Sequence, residues 1–204
     1  MVDSAQEDGM ALGINGLGRI GKLALWHEAA SKRFSRVVVN TGREVGRSAD
    51  DLAHYISTDS TYGSMNRYLH GHTASGLGVR VVNPEQKVLE VDGTEVRVLT
   101  SERNPSGIGW ADHGVRIVVD TTGKFRDPSL PANHPGGSLQ GHLESGAQIV
   151  VVSAAFKFKD RSARMSDDAA MLIYGINHEA FEPSRHCMVS AASCTTTALA
   201  HMLL

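Results

Sequence analysis

The most restrictive feature of the chain is a set of three spaced glycines, Gly16-Leu17-Gly18-Arg19-Ile20-Gly21, where an apolar stretch gives way to a helical one. Before it, Ala11-Leu12-Gly13-Ile14-Asn15 reads as a short buried strand. After it, Ile20, Leu23, Ala24 and Trp26 recur at helical spacing toward Ser31. At a strand-turn-helix junction, each glycine of G-x-G-x-x-G has its own steric role. Gly16 permits the tight turn, Gly18 lets backbone approach a pyrophosphate, and Gly21 lets the helix pack against the strand. Free N–H groups at the helix start attract an anion there. A glycine turn that merely packs is the bland alternative, but the flanking strand and helix favour the cradle.

The rest of the chain continues the alternation. Val37-Val38-Val39 is a β-branched run without polar alternation, as in a strand covered on both faces of a parallel sheet. Asp51 to Ile56 can form a helix, and Val88 to Leu99 alternates around Asp92-Gly93, which predicts a hairpin. Val115 to Asp120 and Ile149 to Val152 read as two further buried strands, and Met171 to Ile176 and Met188 to Ala191 as two more. Phe125 to His142, with Pro128, Pro131, Pro135, Gly136 and Gly137, reads as a surface loop or insertion. The order predicts an α/β fold: a Rossmann-type, doubly wound, mostly parallel sheet with an added antiparallel hairpin.

Composition narrows the function. A chain of 204 residues holds one substantial core, or one domain and the beginning of another. A net charge of −2 gives no long-range attraction for nucleic acid or anionic lipid. No apolar run approaches the roughly 18 residues of a membrane span, and the acidic leader over residues 1–9 has neither a basic nor an apolar signal region. These features predict a cytoplasmic protein with no nucleic-acid or membrane partner. Cys187 and Cys194 are spaced for neither a zinc knuckle nor a disulfide framework, so no metal site is expected.

Two positions bear on chemistry. An acid that reads the 2'-hydroxyl of NAD belongs about 20 residues beyond the glycines, at the end of the second strand. That strand instead ends Asn40-Thr41-Gly42-Arg43, with no carboxylate before Glu44. Arg43 can meet the 2'-phosphate of NADP, or it is a solvated loop charge. Further on, Ser193-Cys194-Thr195-Thr196-Thr197 precedes an apolar segment of helical composition, which places Cys194 at a helix N-terminus. Such surroundings bring a thiol from about 8.5 down to roughly 3.5–7.5. The hydroxyls of Ser193 and Thr195 beside the same helix start can hold an oxyanion or phosphate. Cys187, in an apolar stretch, reads as a buried small hydrophobe.

The run Gly13 to Lys22, the triplet Asp59-Ser60-Thr61, Thr121-Thr122-Gly123-Lys124-Phe125, Gly175-Ile176-Asn177-His178 and Ser193-Cys194-Thr195-Thr196 occur in an order and spacing that resembles the phosphorylating glyceraldehyde-3-phosphate dehydrogenases. The similarity covers nearly all of the chain from Ala11. It implies cofactor contacts at Asn15, Gly16, Gly18, Arg19 and Ile20, a ribose position at Thr41, an adenine-side contact at Arg103, and a cleft lined by Thr121 and Thr122. It implies that Cys194 is the nucleophile and that Ser193 and Thr195 bind the attacking phosphate. NAD is the implied cofactor, with NADP admitted because Thr41 replaces the ribose-binding acid.

The implied reaction oxidises a small phosphorylated aldehyde through a Cys thioester that inorganic phosphate cleaves, in a homotetramer when full length. Residues 10–192 would form the dinucleotide-binding domain and residues 193–204 the start of a truncated catalytic domain. The family's general base and substrate-phosphate Arg would lie beyond Leu204, leaving His178, His186 and His201 as surface or turn residues. Departures include Thr41, Ala155 in place of Pro, a longer Pro-rich loop near Pro131, and Thr197, Ala198 and His201 in place of Asn, Cys and Pro. A same-class alternative is an erythrose-4-phosphate dehydrogenase. An alternative of another class is an NAD(P)-binding module without catalysis.

Overall fold

The computed structural model describes residues 9–73, 78–160, 162–191 and 193–203; the expected leader, Gly9 apart, lies outside them. The chain opens with β1 (Ala11–Asn15), α1 (Arg19–Ser31), β2 (Arg36–Asn40) and α2 (Ala49–Ser57). A small antiparallel pair, β3 (Thr58–Asp59) and β4 (Gly63–Ser64), leads into α3 (Met65–His70). Then follow β5 (Val79–Asn83), β6 (Val88–Val91), β7 (Thr94–Leu99) and β8 (Val115–Asp120). The remainder is α4 (Leu139–Glu144), β9 (Ile149–Val152), β10 (Ala169–Met171), β11 (Met188–Ser190) and α5 (Cys194–Leu203).

Nine strands make one sheet in the order β10-β11-β9-β8-β1-β2-β7-β6-β5. From β10 to β7 every pairing is parallel; β6 and β5 are antiparallel additions at one edge. The expected Rossmann-type sheet with its hairpin is therefore what the chain forms. The turn Asp92-Gly93 carries positive φ at both residues, +47° and +84°. Those are the angles that twist-matched two-residue hairpins require. Among the described residues, no helix is long and apolar enough to cross a membrane.

The β-branched runs work because the sheet is covered on both sides. In β2, Val37 and Val39 enter a core shared with Leu25 and Trp26 of α1 and Leu52 and Ile56 of α2. Val38 points to the opposite core, with Trp110, Val118, Leu139 and Val150. Each such fully buried aliphatic side chain contributes roughly 1.5–3 kcal/mol. Trp26 is further tied down by Nε1, which donates to the Ile56 carbonyl at 2.8 Å and holds α1 against α2. On the other face, Gly13 admits Trp110: a Cβ at Gly13 would stand 2.7 Å from Val115 and 3.2 Å from the indole.

Three sequence expectations need correction. The apolar run Met171 to Ile176 is not a strand beyond Met171. Asn177 captures its backbone, accepting from the Ile173 amide at 2.6 Å and donating to the Met171 carbonyl at 3.0 Å, and Gly175 turns the chain at φ +85°. The Pro-rich stretch is not loop to its end, because Ser138 caps α4, its hydroxyl accepting from the Gly141 amide at 3.1 Å. His186 is a turn residue but not a surface one: it is 5% exposed, and its Nδ1 accepts from the Glu182 amide at 3.0 Å.

Candidate functional site

The site lies where the strand order reverses. From β1 the chain winds through α1 to β2 on one side, and it returns on the other side of β1 as β8. Crevices at such reversals, outside the carboxyl ends of parallel strands, are where this architecture binds ligands. The register aligns the strand ends in one row: Asn40 beside Asn15, Asn15 beside Asp120, Asp120 beside Val152, and Val152 beside Ser190.

The glycine turn is built as its sequence requires. Gly16 has φ +95°, and a Cβ on it would meet Thr122 at 3.0 Å. A Cβ on Gly21 would collide with the Gly16 carbonyl oxygen, so helix and turn touch backbone to backbone. Gly18 is different: nothing stands within 4 Å of its Cβ position, and the space in front of it is open. The start of α1 has no side-chain cap and no acid in its first turn, whereas α2 closes its own with a Ser48–Asp51 capping box. The first amides of α1 thus remain available to an external anion.

Five of the residues chosen from sequence converge on one pocket of about 270 Å³. Asn15, Gly16, Thr41, Arg103 and Thr122 line it together with Asn40, Gly42, Lys124 and Phe125. Gly18, Arg19 and Ile20 stand outside that lining, at the exposed mouth of α1. Arg19 instead faces Asp59, at 3.8 Å. Asp59 accepts from the amides of Thr61 and Tyr62 and faces Lys22 at 3.6 Å, which holds its carboxyl below the usual range. Thr121 is also outside the lining: its hydroxyl reaches the Gly16 carbonyl at 2.7 Å and braces the turn.

The pocket lining contains no carboxylate. The Thr41 hydroxyl reaches the carbonyls of Arg43 at 2.6 Å and Leu99 at 3.1 Å. Glu44 is tied to Lys87 at 2.6 Å, a bond that leads the Thr100 contact in holding its carboxyl below the usual range. Arg103 is anchored by Nε on the Gly42 carbonyl at 3.0 Å. Arg43 is exposed and is not part of the pocket lining.

Beneath the pocket runs a buried polar chain that sequence reasoning missed. Asn40 donates to Asn15 Oδ1 at 2.8 Å, and Asn15 donates to Asp120 Oδ2 at 2.7 Å. The other Asp120 oxygen accepts from the Thr122 amide at 3.0 Å and its hydroxyl at 2.7 Å. His142 Nε2 lies 3.2 Å from Asp120 Oδ2, and Trp110 Nε1 donates to His142 Nδ1 at 2.9 Å. An indole only donates, so Nδ1 carries no hydrogen and Nε2 supplies the proton to Asp120. Asp120 and His142 are both fully buried. The only sequence signal was polar residues ending strands: Asn15, Asn40 and Asp120 each close a β-branched or apolar run.

Cys194 is the first residue of α5 and is exposed. It follows β11 by four residues, and β11 ends in the same row of strand ends as Asn15, three strand spacings or about 14 Å away. The Ser193 hydroxyl donates to Thr196 Oγ1 at 2.8 Å, and Thr195 is exposed. Neither Cys194 nor these hydroxyls line that pocket. Cys187 departs from the expected buried hydrophobe: it precedes β11, is partly exposed, and its thiol donates to Asp168 at 3.4 Å. Burial, aided by that carboxylate, pushes the Cys187 thiol up to about 11.

The two thiols should therefore separate chemically. Alkylation proceeds through thiolate, and at pH 8 a thiol with a pKa of about 11 is ionised in about one molecule in a thousand. Iodoacetamide at pH 8 is expected to label Cys194 and leave Cys187 largely unmodified in the folded protein. Labelling of Cys187 should rise only as pH approaches 11, and both should react after denaturation. Equal labelling of the two in peptide mass spectra of the native protein would contradict this geometry.

Comparison with known proteins gives the family. A family described as "Glyceraldehyde 3-phosphate dehydrogenase, NAD binding domain" matches residues 10–128. Similar curated proteins include glyceraldehyde-3-phosphate dehydrogenase 1 of Bacillus cereus, 30% identical over 189 residues, with 93% of this chain and 46% of the relative covered. The glyceraldehyde-3-phosphate dehydrogenase of Kitasatospora aureofaciens is 34% identical over 93% of this chain and 47% of its own length. That of Mycoplasma pneumoniae is 32% identical over 98% and 49%. The chain spans about half the length of the curated relatives it matches. With more than half of its residues matching that family and the glycine turn at the sheet's point of reversal, the chain belongs to the glyceraldehyde-3-phosphate dehydrogenase family.

Proposed function

We propose that this chain is the dinucleotide-binding portion of a phosphorylating aldehyde dehydrogenase whose substrate is glyceraldehyde 3-phosphate. In this reading residues 10–192 hold NAD and residues 193–204 open the catalytic segment. The observation that carries it is the pocket at the sheet's point of reversal, which gathers Asn15, Gly16, Thr41, Arg103 and Thr122. The fit to a dinucleotide rests on Gly18, whose open front lets a pyrophosphate approach backbone, and on the uncapped amides of α1.

Bound NAD supplies the hydride acceptor. The chain's own residues supply the pocket, the nucleophile and the contacts to the attacking phosphate. Asn15 and Thr122, fixed from below by Asp120, shape the floor of the pocket, and Arg103 flanks its ribose end. The Cys194 thiolate attacks the aldehyde carbon, forming a C–S bond as the C=O π pair moves onto oxygen, which takes a proton from solvent to give a thiohemiacetal. Hydride leaving that carbon would pass to the bound dinucleotide, and the hydroxyl proton to the general base that the resemblance places beyond Leu204, leaving a thioester. Ser193 and Thr195 hold the phosphate whose oxygen displaces the sulfur and regenerates the thiolate. Covalent attachment replaces a bimolecular encounter by a positioned one.

A second reading of the cofactor is supported by the ribose end. No carboxylate lines the pocket there, and Arg103 does, an arrangement that accommodates the 2'-phosphate of NADP. Calorimetric titration with NAD and NADP separates the cases: one of them is expected to bind with 1:1 stoichiometry, and failure of both in a folded sample would sink the dinucleotide reading. Aldehyde-dependent cofactor reduction tests the chemistry. Binding without turnover would support the alternative, a dinucleotide-binding module without catalysis.

A further inference from the structure

The same edge of the sheet carries a second and larger cavity, about 560 Å³. Its walls come from the segment after β8, the Pro-rich segment before α4, and the segment after β9. These walls are pinned. The Lys157 amide donates to the Arg126 carbonyl at 2.9 Å, and the Lys159 amide donates to Asp127 Oδ2 at 2.7 Å. Gly137, at φ +79°, packs so tightly that a Cβ there would press on Phe125 and Pro105.

Four cations line this cavity: Lys124, Arg126, Lys157 and Lys159. Among the described residues, no carboxylate lies within ion-pair reach of any of them. The Lys124 ammonium stands over the face of Phe125, at 5.1 Å. The one carboxylate in the lining, Asp127, is 5% exposed, and its oxygens are occupied by the Lys159 amide and by the amide and hydroxyl of Ser129. In a chain with a net charge of −2, this concentration of positive charge is local, and within the lining only Asp127, on which Lys159 acts electrostatically, offsets it. Such clustering is self-repulsive, and a bound anion would relieve it. Phe125, Leu130 and Phe158 add apolar wall beside His134 and Ser138, and the volume lies within the roughly 300–1,000 Å³ of small-molecule sites.

We propose that this cavity is a second ligand site, outside the dinucleotide pocket, that takes a nucleoside triphosphate, with the phosphates on the lysines and Arg126 and the base against Phe158. Purine or pyrimidine faces pack well on such a ring. Lys124 and Phe125 also line the dinucleotide pocket, so the two sites abut and occupancy of one is felt at the other. The site stands without the dinucleotide reading; only this coupling rests on it.

The test is calorimetric titration of the whole chain with ATP and, separately, with inorganic tripolyphosphate, each with and without saturating NAD. ATP is expected to bind with NAD present, at least tenfold more tightly than tripolyphosphate. The double variant Lys157→Glu, Lys159→Glu alters two exposed side chains and should weaken ATP at least tenfold while changing NAD affinity less than twofold. Phe158→Ala should weaken ATP and leave tripolyphosphate unchanged, which keeps the test available if the double variant does not fold. ATP binding that NAD abolishes and that neither variant changes would place ATP in the dinucleotide pocket and overturn the proposal. Equal affinity for ATP and tripolyphosphate would overturn the nucleoside assignment, and no ATP binding at millimolar concentration would overturn the site. If NAD fails to bind, the ATP arm and its variants still decide this cavity alone.

Discussion

Alanine at Gly21 is expected to lower the melting temperature by roughly 6–12 °C, whereas alanine at Gly18 should leave the fold nearly intact and remove dinucleotide binding. A methyl group at Gly21 meets the Gly16 carbonyl and stands 2.8 Å from the Thr121 hydroxyl. Neither can retreat cheaply. Gly16 is held by its amide on the Asn40 carbonyl at 2.8 Å and by Thr121 on its own carbonyl at 2.7 Å. Overpacking of this kind costs about 1–3 kcal/mol, and contact with backbone puts it at the upper end. A domain of this size loses about 2–4 °C per kcal/mol. Gly18 has ordinary φ of −76° and open space around it, so its alanine variant bears mainly a weaker helix cap, about 1 kcal/mol. The methyl group would instead occupy the place a pyrophosphate needs, and at least tenfold weaker binding of NAD is expected by calorimetry. Wild-type affinity in Gly18→Ala, or an unchanged melting temperature in Gly21→Ala, would refute this division of labour.

The second large effect is expected at Asp120. Replacing it with alanine strips the acceptor from four donors at once: Asn15 Nδ2, His142 Nε2, and the amide and hydroxyl of Thr122. Asp120 and His142 are fully buried beneath the pocket, whose lining Asn15 and Thr122 enter. Removing one member of such a network costs about 3–5 kcal/mol, because the remaining groups keep the desolvation penalty and lose their partners. Asp120→Asn should lie between wild type and alanine. Each carboxylate oxygen receives two donors, so whichever way the amide turns, its NH2 group faces two other donors. Urea unfolding of the three proteins should rank them in that order. Midpoints that coincide within error would mean the network contributes nothing.

Much of this fold was legible because its signals are local. Val115–Asp120 and Ile149–Val152 are strands with the boundaries read from their β-branched runs. Asp92-Gly93 turned the hairpin, since few other pairs adopt two positive φ angles in succession. Where a local signal misled, a side chain intervened from nearby: Met171 to Tyr174 has strand composition, but Asn177 offers that backbone a better set of partners than the sheet edge does. His186 failed differently, because exposure depends on what packs over a residue, and no periodicity encodes that for a single histidine in a turn.

By itself the sequence determined the glycine turn, the strand-helix alternation and the candidate thiol, since sterics at three glycines and a period of two or 3.6 residues act within a few positions. It also selected five residues that the fold gathers into one pocket. Only the tertiary structure decided how neighbours divide their roles. Thr121 braces the turn while Thr122 faces the pocket, and Asp120 joins Asn15, 105 residues away, to His142. Four cations from two distant segments come to share one cavity by the same means. The physical reason is register: which side chains meet across a parallel sheet depends on how strands far apart in the chain align, and that alignment is a property of the whole core.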